Sequence, residues 1–363
     1  MTTTPTRWTL ADGRELLFFD LPGHHCAPVV DRRSLPAHRG TRSELRFDHI
    51  SGEWVIIAAL RQDRTYKPAA DQCPLCPGPT GLTSEIPAPD YDVVVFENRF
   101  ASLCGADGSA FRLPAEPGRG FVCEPSHGRC EVVCFSADHT GSFADLDYRQ
   151  ARLVVDVWRH RTRDLLSRNG IEQVFCFENR GEEIGVTLSH PHGQIYGYPY
   201  VTPHTEATLR QADAHRALHG TNLFTDLLEH EISSGARIVA RSDAFTAFVP
   251  FAARWPVEVH IFPNRPVHNL LDLDDAELDG FTEMYRTVLQ RLDRMYSEPL
   301  PYMAALHQYT DIGSQREGRF HAQVISTRRS ATRLKYLASS ESVMGAFIND
   351  VTPESLAEIL RQL

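Results

Sequence analysis

Two stretches of this chain repeat one another, and that repeat narrows the folds open to it more than any other feature. Phe135 pairs with Phe262, and Asp145-Leu146 with Asp272-Leu273, at a spacing of 127 residues. His192 pairs with His321 at 129, which lays His-Gly-Gln-Ile over His-Ala-Gln-Val. Around these markers the first copy reads as a strand (130–136), a helix (147–168) and a strand (171–178). The second reads as a strand (257–262), a helix (274–296) and a strand (302–307). Leu153, Val154, Val157, Trp158, Leu165 and Leu166 recur at helical spacing in the first helix, and Asn169-Gly170 stops it. A chance overlay of two such segments is the competing account. Duplication explains why the copies agree chemically where agreement matters, at the His and Gln. The expected fold class is therefore α+β, a duplicated module of antiparallel strands with helices packed on one face. The expected parts are an irregular, turn-rich arm (1–45), a first module (46–202) and a degenerate second module (203–363).

The first copy carries a segment the second lacks, Ser189-His190-Pro191-His192-Gly193-Gln194. In extended chain, residues i and i+2 share a face, so His190, His192 and Gln194 are expected on one side. Pro191 fixes its own φ and restricts His190, and Gly193 lets another group approach the backbone. An isolated His-x-His is more often a solvated edge. The added Pro, Gly and Gln point instead to a site, a metal ligand beside a nucleophile. His192 is the nucleophile candidate. A neutral imidazole attacks phosphorus without a separate base, provided its other nitrogen has an acceptor such as the His190 carbonyl. Gln194 can donate to a non-bridging phosphate oxygen. Arg61 and Arg64 offer forked donors for phosphate, although on spacing alone a solvated pair is the favoured account.

Cys73 and Cys76, bounded by prolines, form a Cys-x2-Cys pair able to place two thiolates on one tetrahedral metal. His139 and His190 are the candidates for the missing ligands, and a redox pair or idle surface thiols are the alternatives. A net charge of −10 with no basic stripe argues against nucleic acid. No apolar run suggests a membrane span or a secretory leader, so a cytoplasmic protein is expected.

The run from Asn179-Arg180-Gly181 through Gly185 to Ser189-His190-Pro191-His192-Gly193-Gln194-Ile195 resembles the active-site signature of the galactose-1-phosphate uridylyltransferases, a branch of the histidine-triad superfamily. The resemblance extends to Gly52-Glu53-Trp54-Val55, Cys73-Pro74-Leu75-Cys76, Cys134-Phe135-Ser136-Ala137-Asp138-His139 and Arg329-Ser330-Ala331-Thr332. It implies a homodimer with shared active sites and a ping-pong exchange between UDP-glucose and galactose 1-phosphate through a uridylylated His192. It also implies zinc on Cys73, Cys76, His139 and His190. Asn98, Asn179, Gly185, Thr187 and Gln194 would line the nucleotide and phosphate site. Arg61, Arg64, Lys335, Tyr336 and Glu341 would reach the substrate, some from the partner chain.

The chain departs from the family pattern in three places. Some relatives hold a second metal on a Glu and three His. Here His307 and His321 match, but Gln323 replaces a His, and only Glu206 lies near the Glu position at Thr208-Leu209. That second site is expected to be absent. Thr187 stands for a Ser, and Arg99 for an Asp near the uridine. The alternative within the fold is a phosphorylase or hydrolase acting on an adenylyl donor.

Overall fold

The structure, a computed structural model, describes residues 4–36, 43–63, 66–103, 121–310 and 317–363. These fall into two compact units, one of Met1–Thr140, Asp156–Cys176 and His190–Ala207, the other of Gly141–Val155, Phe177–Ser189 and Thr208–Leu363.

In chain order the first part contains strands β1 (Thr6–Thr9), β2 (Glu15–Phe19), β3 (Glu44–Asp48), β4 (Glu53–Ile57), β5 (Val93–Glu97), β6 (Cys123–Pro125) and β7 (Arg129–Cys134). Helix α1 (Tyr148–Leu166) follows, then β8 (Gln173–Arg180) and β9 (His192–Tyr198). The remainder contains α2 (Pro203–His219), α3 (Leu223–Ser234), β10 (Ile238–Arg241), β11 (Phe245–Phe248), β12 (Val257–Pro263), α4 (Asp275–Asp293), β13 (Tyr302–His307) and β14 (His321–Ser326).

The duplication is visible in the strand order. In the first copy neighbouring strands run β5-β7-β9-β8, and in the second β11-β12-β14-β13. In chain order each copy reads strand, long helix, strand, strand (β7-α1-β8-β9 and β12-α4-β13-β14), so sequence and sheet repeat together. The registers β5/β7, β7/β9, β12/β14 and β13/β14 are all antiparallel.

The reasons lie in the residues. Four residues of β5 (Val93 to Phe96) and five of β7 (Cys130 to Cys134) are buried in succession, as in strands covered on both faces. Helix α1 turns Val154, Val157, Trp158 and Leu165 inward, and Asp147 caps it by accepting from Gln150 N at 2.8 Å. Arg161 of α1, fully buried, grips Glu131 of β7 with two bonds of 2.8 Å. Burial opposes ionisation of Glu131, yet Arg161 and Arg129 hold its pKa below the usual carboxylate range. Helix α4 opens on a capping box, with Glu277 N donating to Asp274 and Asp274 N to Glu277. It buries Leu278, Phe281, Tyr285, Val288 and Leu292.

The described residues among the first 45 differ from the expected irregular arm. β1 and β2 form a hairpin, and β2 pairs with β5. Leu16, Leu17, Phe18 and Phe19 are fully buried. Burial of four consecutive apolar side chains outweighs the loop character of the flanking Pro and Gly residues.

One buried group makes the second unit sensitive to pH. Glu178 accepts from Tyr302 Oη at 2.8 Å and Tyr285 Oη at 3.4 Å. Burial pushes its carboxyl up from 4.5 to about 7. Below pH 4.5 Glu178 is neutral whether folded or unfolded; as pH rises toward about 7 the unfolded chain releases its proton first and is favoured. This residue's contribution is therefore complete at low pH and lost as pH climbs through that window, an effect on the order of 3 kcal/mol. Urea unfolding of Glu178→Gln across the same window will show a flatter stability profile than the wild type. Parallel profiles would disprove the assignment.

Candidate active site and metal centre

Strand β9 sets the site's axis. Its register against β7 places His192 opposite Cys134 and Gln194 opposite Val132, and period-two alternation turns His192, Gln194, Tyr196 and Tyr198 to one face. His190 lies just before the strand and is buried. Its ring engages a different group of residues from that of His192.

Cys73, Cys76, His139 and His190 each offer one ligand atom, and the four atoms lie within 4.8 Å of one another. Cys76 Sγ is 3.3 Å from His139 Nδ1 and 3.6 Å from His190 Nδ1. His190 Nε2 lies 2.8 Å from the Ser136 carbonyl and 2.8 Å from Tyr91 Oη. Tyr91 in turn donates to the Leu75 carbonyl at 2.8 Å. The proton of His190 therefore belongs on Nε2, leaving the Nδ1 lone pair for the cluster. Burial drives the His190 pKa down to about 4, so the ring is neutral, as a ligand must be. Burial and the neighbouring Cys73 push the Cys76 thiol up to about 11. A cation between the two sulfurs would favour the thiolate form of Cys76. The donor set fits a tetrahedral metal of the Cys2His2 type.

His192 is half-buried, and its Nδ1 lies 2.7 Å from the His190 carbonyl. A carbonyl only accepts, so Nδ1 carries the proton and Nε2 keeps its lone pair. Burial lowers the pKa of His192, which favours this neutral form. The ring can act as a nucleophile without a separate base.

Two residues not singled out by the sequence join three that were. Tyr196 Oη donates to Gln194 Oε1 at 3.4 Å, so the Gln194 amide nitrogen can serve as a donor to another group. Arg61 Nη1 reaches Tyr196 Oη at 3.4 Å and the Phe100 carbonyl at 3.2 Å. Phe100 N donates to Asn98 Oδ1 at 2.9 Å. Arg61, Asn98 and Gln194 thus form one chain of contacts through Phe100 and Tyr196. Tyr196 was accessible from the sequence, because it lies two residues beyond Gln194 on the same strand face. Tyr91, Ser136 and Phe100 carry no such signal.

Arg64 lies outside the described residues. Asn179 falls on β8, while Gly185 takes φ +83° at the end of the 3-10 turn Glu182–Ile184, with Thr187 two residues on. All three belong to the second unit. Lys335 and Glu341, also there, are buried and paired with each other at 2.6 Å, while Tyr336 between them is 79 % exposed. Arg99 lies against the ring of Phe100.

In the second copy, His321 Nδ1 meets the Arg319 carbonyl at 2.9 Å, the same contact that His192 makes with His190. Arg319, in place of His190, bonds the Pro263 carbonyl at 2.6 Å, where His190 bonds that of Ser136. Gln323 is held by His307 at 2.9 Å and by Glu258 at 2.8 Å, and His307 stacks on His321 at 4.5 Å.

Comparison with known proteins gives two adjoining matches. The model for "galactose-1-phosphate uridyl transferase, N-terminal domain" matches residues 35–202, and that for the C-terminal domain matches residues 208–363. A galactose-1-phosphate uridylyltransferase of Streptomyces lividans is 44 % identical, the alignment covering 100 % of this chain and 98 % of that protein. One from Thermotoga maritima is 35 % identical over 88 % of this chain and 98 % of its own length. A solved structure described as a uridylyltransferase superposes with a TM-score of 0.76 at 28 % identity, covering 88 % of this chain and 97 % of that one. An ADP-glucose phosphorylase from Arabidopsis thaliana shares the fold, with a TM-score of 0.67 at 21 % identity over 88 % and 98 % of the two chains.

Proposed function

The chain belongs to the galactose-1-phosphate uridyl transferase family, and from that membership we propose that it moves a uridylyl group from UDP-glucose to galactose 1-phosphate by way of His192. It is a nucleotidyltransferase of galactose metabolism. The observation that carries the covalent route is the 2.7 Å contact between His192 Nδ1 and the His190 carbonyl, which leaves Nε2 as the free nucleophile.

Nε2 attacks the α-phosphorus of UDP-glucose. The P–N bond forms as the bond to the β-phosphate oxygen breaks, and its electron pair leaves with glucose 1-phosphate. The ring becomes a uridylylated imidazolium, its Nδ1 proton held by the His190 carbonyl. A phosphate oxygen of galactose 1-phosphate then attacks the same phosphorus. The P–N bond breaks, UDP-galactose departs and the neutral ring returns. No proton needs to be gained or lost, in keeping with a site that has no separate base. Gln194, oriented by Tyr196, donates to a non-bridging oxygen as charge builds there. Asn98, Asn179, Gly185 and Thr187 line the nucleotide, and Arg61 and Arg64 contact phosphate.

The active unit is a homodimer in which Tyr336, on the segment that Lys335 and Glu341 hold, approaches the partner's substrate. Exposure of Tyr336 on a segment pinned by the Lys335–Glu341 pair supports that reading. Cys73, Cys76, His139 and His190 would hold zinc, which would supply the charge that binds two thiolates and two imidazoles in one place; His190, held there, keeps its carbonyl aimed at His192. No described helix is long and apolar enough to cross a membrane, and we place the enzyme in the cytoplasm.

The test is incubation with UDP-glucose alone, followed by intact mass measurement and peptide mapping. The expected result is one uridylyl adduct on His192, discharged by galactose 1-phosphate. Adduct formation only from an adenylyl donor would replace this reading with that of a phosphorylase or hydrolase, and no adduct from either donor would overturn the covalent route.

A further inference from the structure

At the end of the sheet where β2 leaves and β5 begins, the fold brings two carboxylates face to face. Phe19 and Val93 are the last paired residues of these antiparallel strands, so Asp20 and Asp92 occupy the next rung, where like charges repel. The turn that follows carries an imidazole back to them. Leu21-Pro22-Gly23-His24 closes with His24 N donating to the Leu21 carbonyl at 3.0 Å, and Gly23 takes φ +90°. That is a type II turn, whose third residue favours glycine. His24 Nδ1 consequently lies 2.7 Å from Asp92 Oδ2.

Backbone donors fix both carboxylates. Leu21 N donates to Asp92 Oδ2 at 2.7 Å, and Cys26 N to Asp20 Oδ2 at 3.2 Å. The other oxygen of Asp20, Oδ1, is buried and has no hydrogen-bond partner among the described residues. A buried carboxylate oxygen left in this way is costly unless something cationic neutralises it. His24 is 36 % exposed at the side chain, against 15 % for Asp20 and 16 % for Asp92, so the group opens to solvent on the imidazole side. Exposed His25 adds a further ring nitrogen, 3.5 Å from Asp20 Oδ2.

We propose that Asp20, His24 and Asp92 form a binding site for a divalent cation, distinct from the cysteine-containing cluster. One ligand atom from each of the three lies within 4.8 Å of the others, close enough for all to reach a single ion. Two carboxylate oxygens and one imidazole nitrogen select Mn2+, Zn2+ or Fe2+ over soft ions, with water filling the open positions. A bound cation would join β2 to β5 across the sheet and fix the turn between them.

Mn2+ is the probe, because it prefers oxygen and nitrogen to the thiolates of Cys73 and Cys76. Full-length protein already holding zinc is titrated with Mn2+ while the paramagnetic resonance signal of the free ion is followed. The expected result is one Mn2+ taken up per chain, with the affinity at least tenfold weaker in both His24→Gln and Asp20→Asn. Zinc content stays unchanged in the two variants, and their melting temperatures match the wild type in the absence of Mn2+. No uptake by the wild type would mean that protonated His24 alone balances the aspartates, and would overturn the proposal. Undiminished uptake in both variants would place the ion elsewhere and overturn it equally.

Discussion

His192→Asn is expected to abolish uridylyl transfer and to leave no adduct after exposure to UDP-glucose. The reason lies in which atoms the substitution keeps. An asparagine amide can donate to the His190 carbonyl as His192 Nδ1 does at 2.7 Å, so the strand end remains satisfied and β9 keeps its register. What is lost is Nε2 and its lone pair, for which asparagine has no counterpart. Removing the nucleophile from a covalent mechanism lowers kcat by roughly four orders of magnitude or more. The checks are UDP-galactose formation by chromatography, intact mass after incubation with UDP-glucose, and a thermal melt. The expected outcome is loss of product and adduct with a melt matching the wild type. An adduct persisting on another residue would remove His192 from its proposed role.

Cys73→Ser is expected to release the metal and lower stability. Cys73 is buried and its sulfur accepts from Leu75 N at 3.4 Å, within the knuckle that presents both thiols. A serine oxygen keeps that hydrogen bond but is a poor metal ligand, so three donors remain where four are needed. Without a cation, Cys76, His139 and His190 become a buried polar cluster of two rings and a thiol. Losing a structural metal costs on the order of 3–5 kcal/mol. Metal content measured by mass spectrometry should fall toward zero and the melting temperature should drop. Activity falls as a secondary effect, since the His190 backbone that holds His192 loses its anchor. Wild-type metal content in this variant would refute the assignment.

The clearest signals in the sequence were those with a period. The repeat spacing of Phe135 to Phe262 and His192 to His321 gave the duplicated module, and the strand order reproduces it. Alternation along β9 put Gln194 beside His192, and the same rule would have reached Tyr196. Contacts that join distant parts of the chain left no such trace. Tyr91 is 99 positions from His190 and Phe100 is 39 from Arg61, and no local pattern links either pair. The hairpin of β1 and β2 was hidden because Leu16 to Phe19 is a short apolar run among turn residues, and its partner β5 lies far along the chain. For the candidate metal cluster, the Cys-x2-Cys spacing supplied two donors; His139 and His190 were candidates that no spacing linked to them, and the resemblance to known uridylyltransferases joined the four.

The backbone contact that His321 shares with His192 gives this molecule an internal standard. Both imidazoles are tethered through Nδ1 to the carbonyl two residues earlier, at 2.9 and 2.7 Å, but only one of those carbonyls belongs to a residue of the Cys-His cluster. A disturbance of ring tilt or tautomer that strikes His192 while sparing His321 points away from the backbone tether, which both rings share, and toward what surrounds His190. Nitrogen resonances of the two rings, recorded in one sample with and without added metal, would separate what the scaffold contributes from what an ion on the cluster would add.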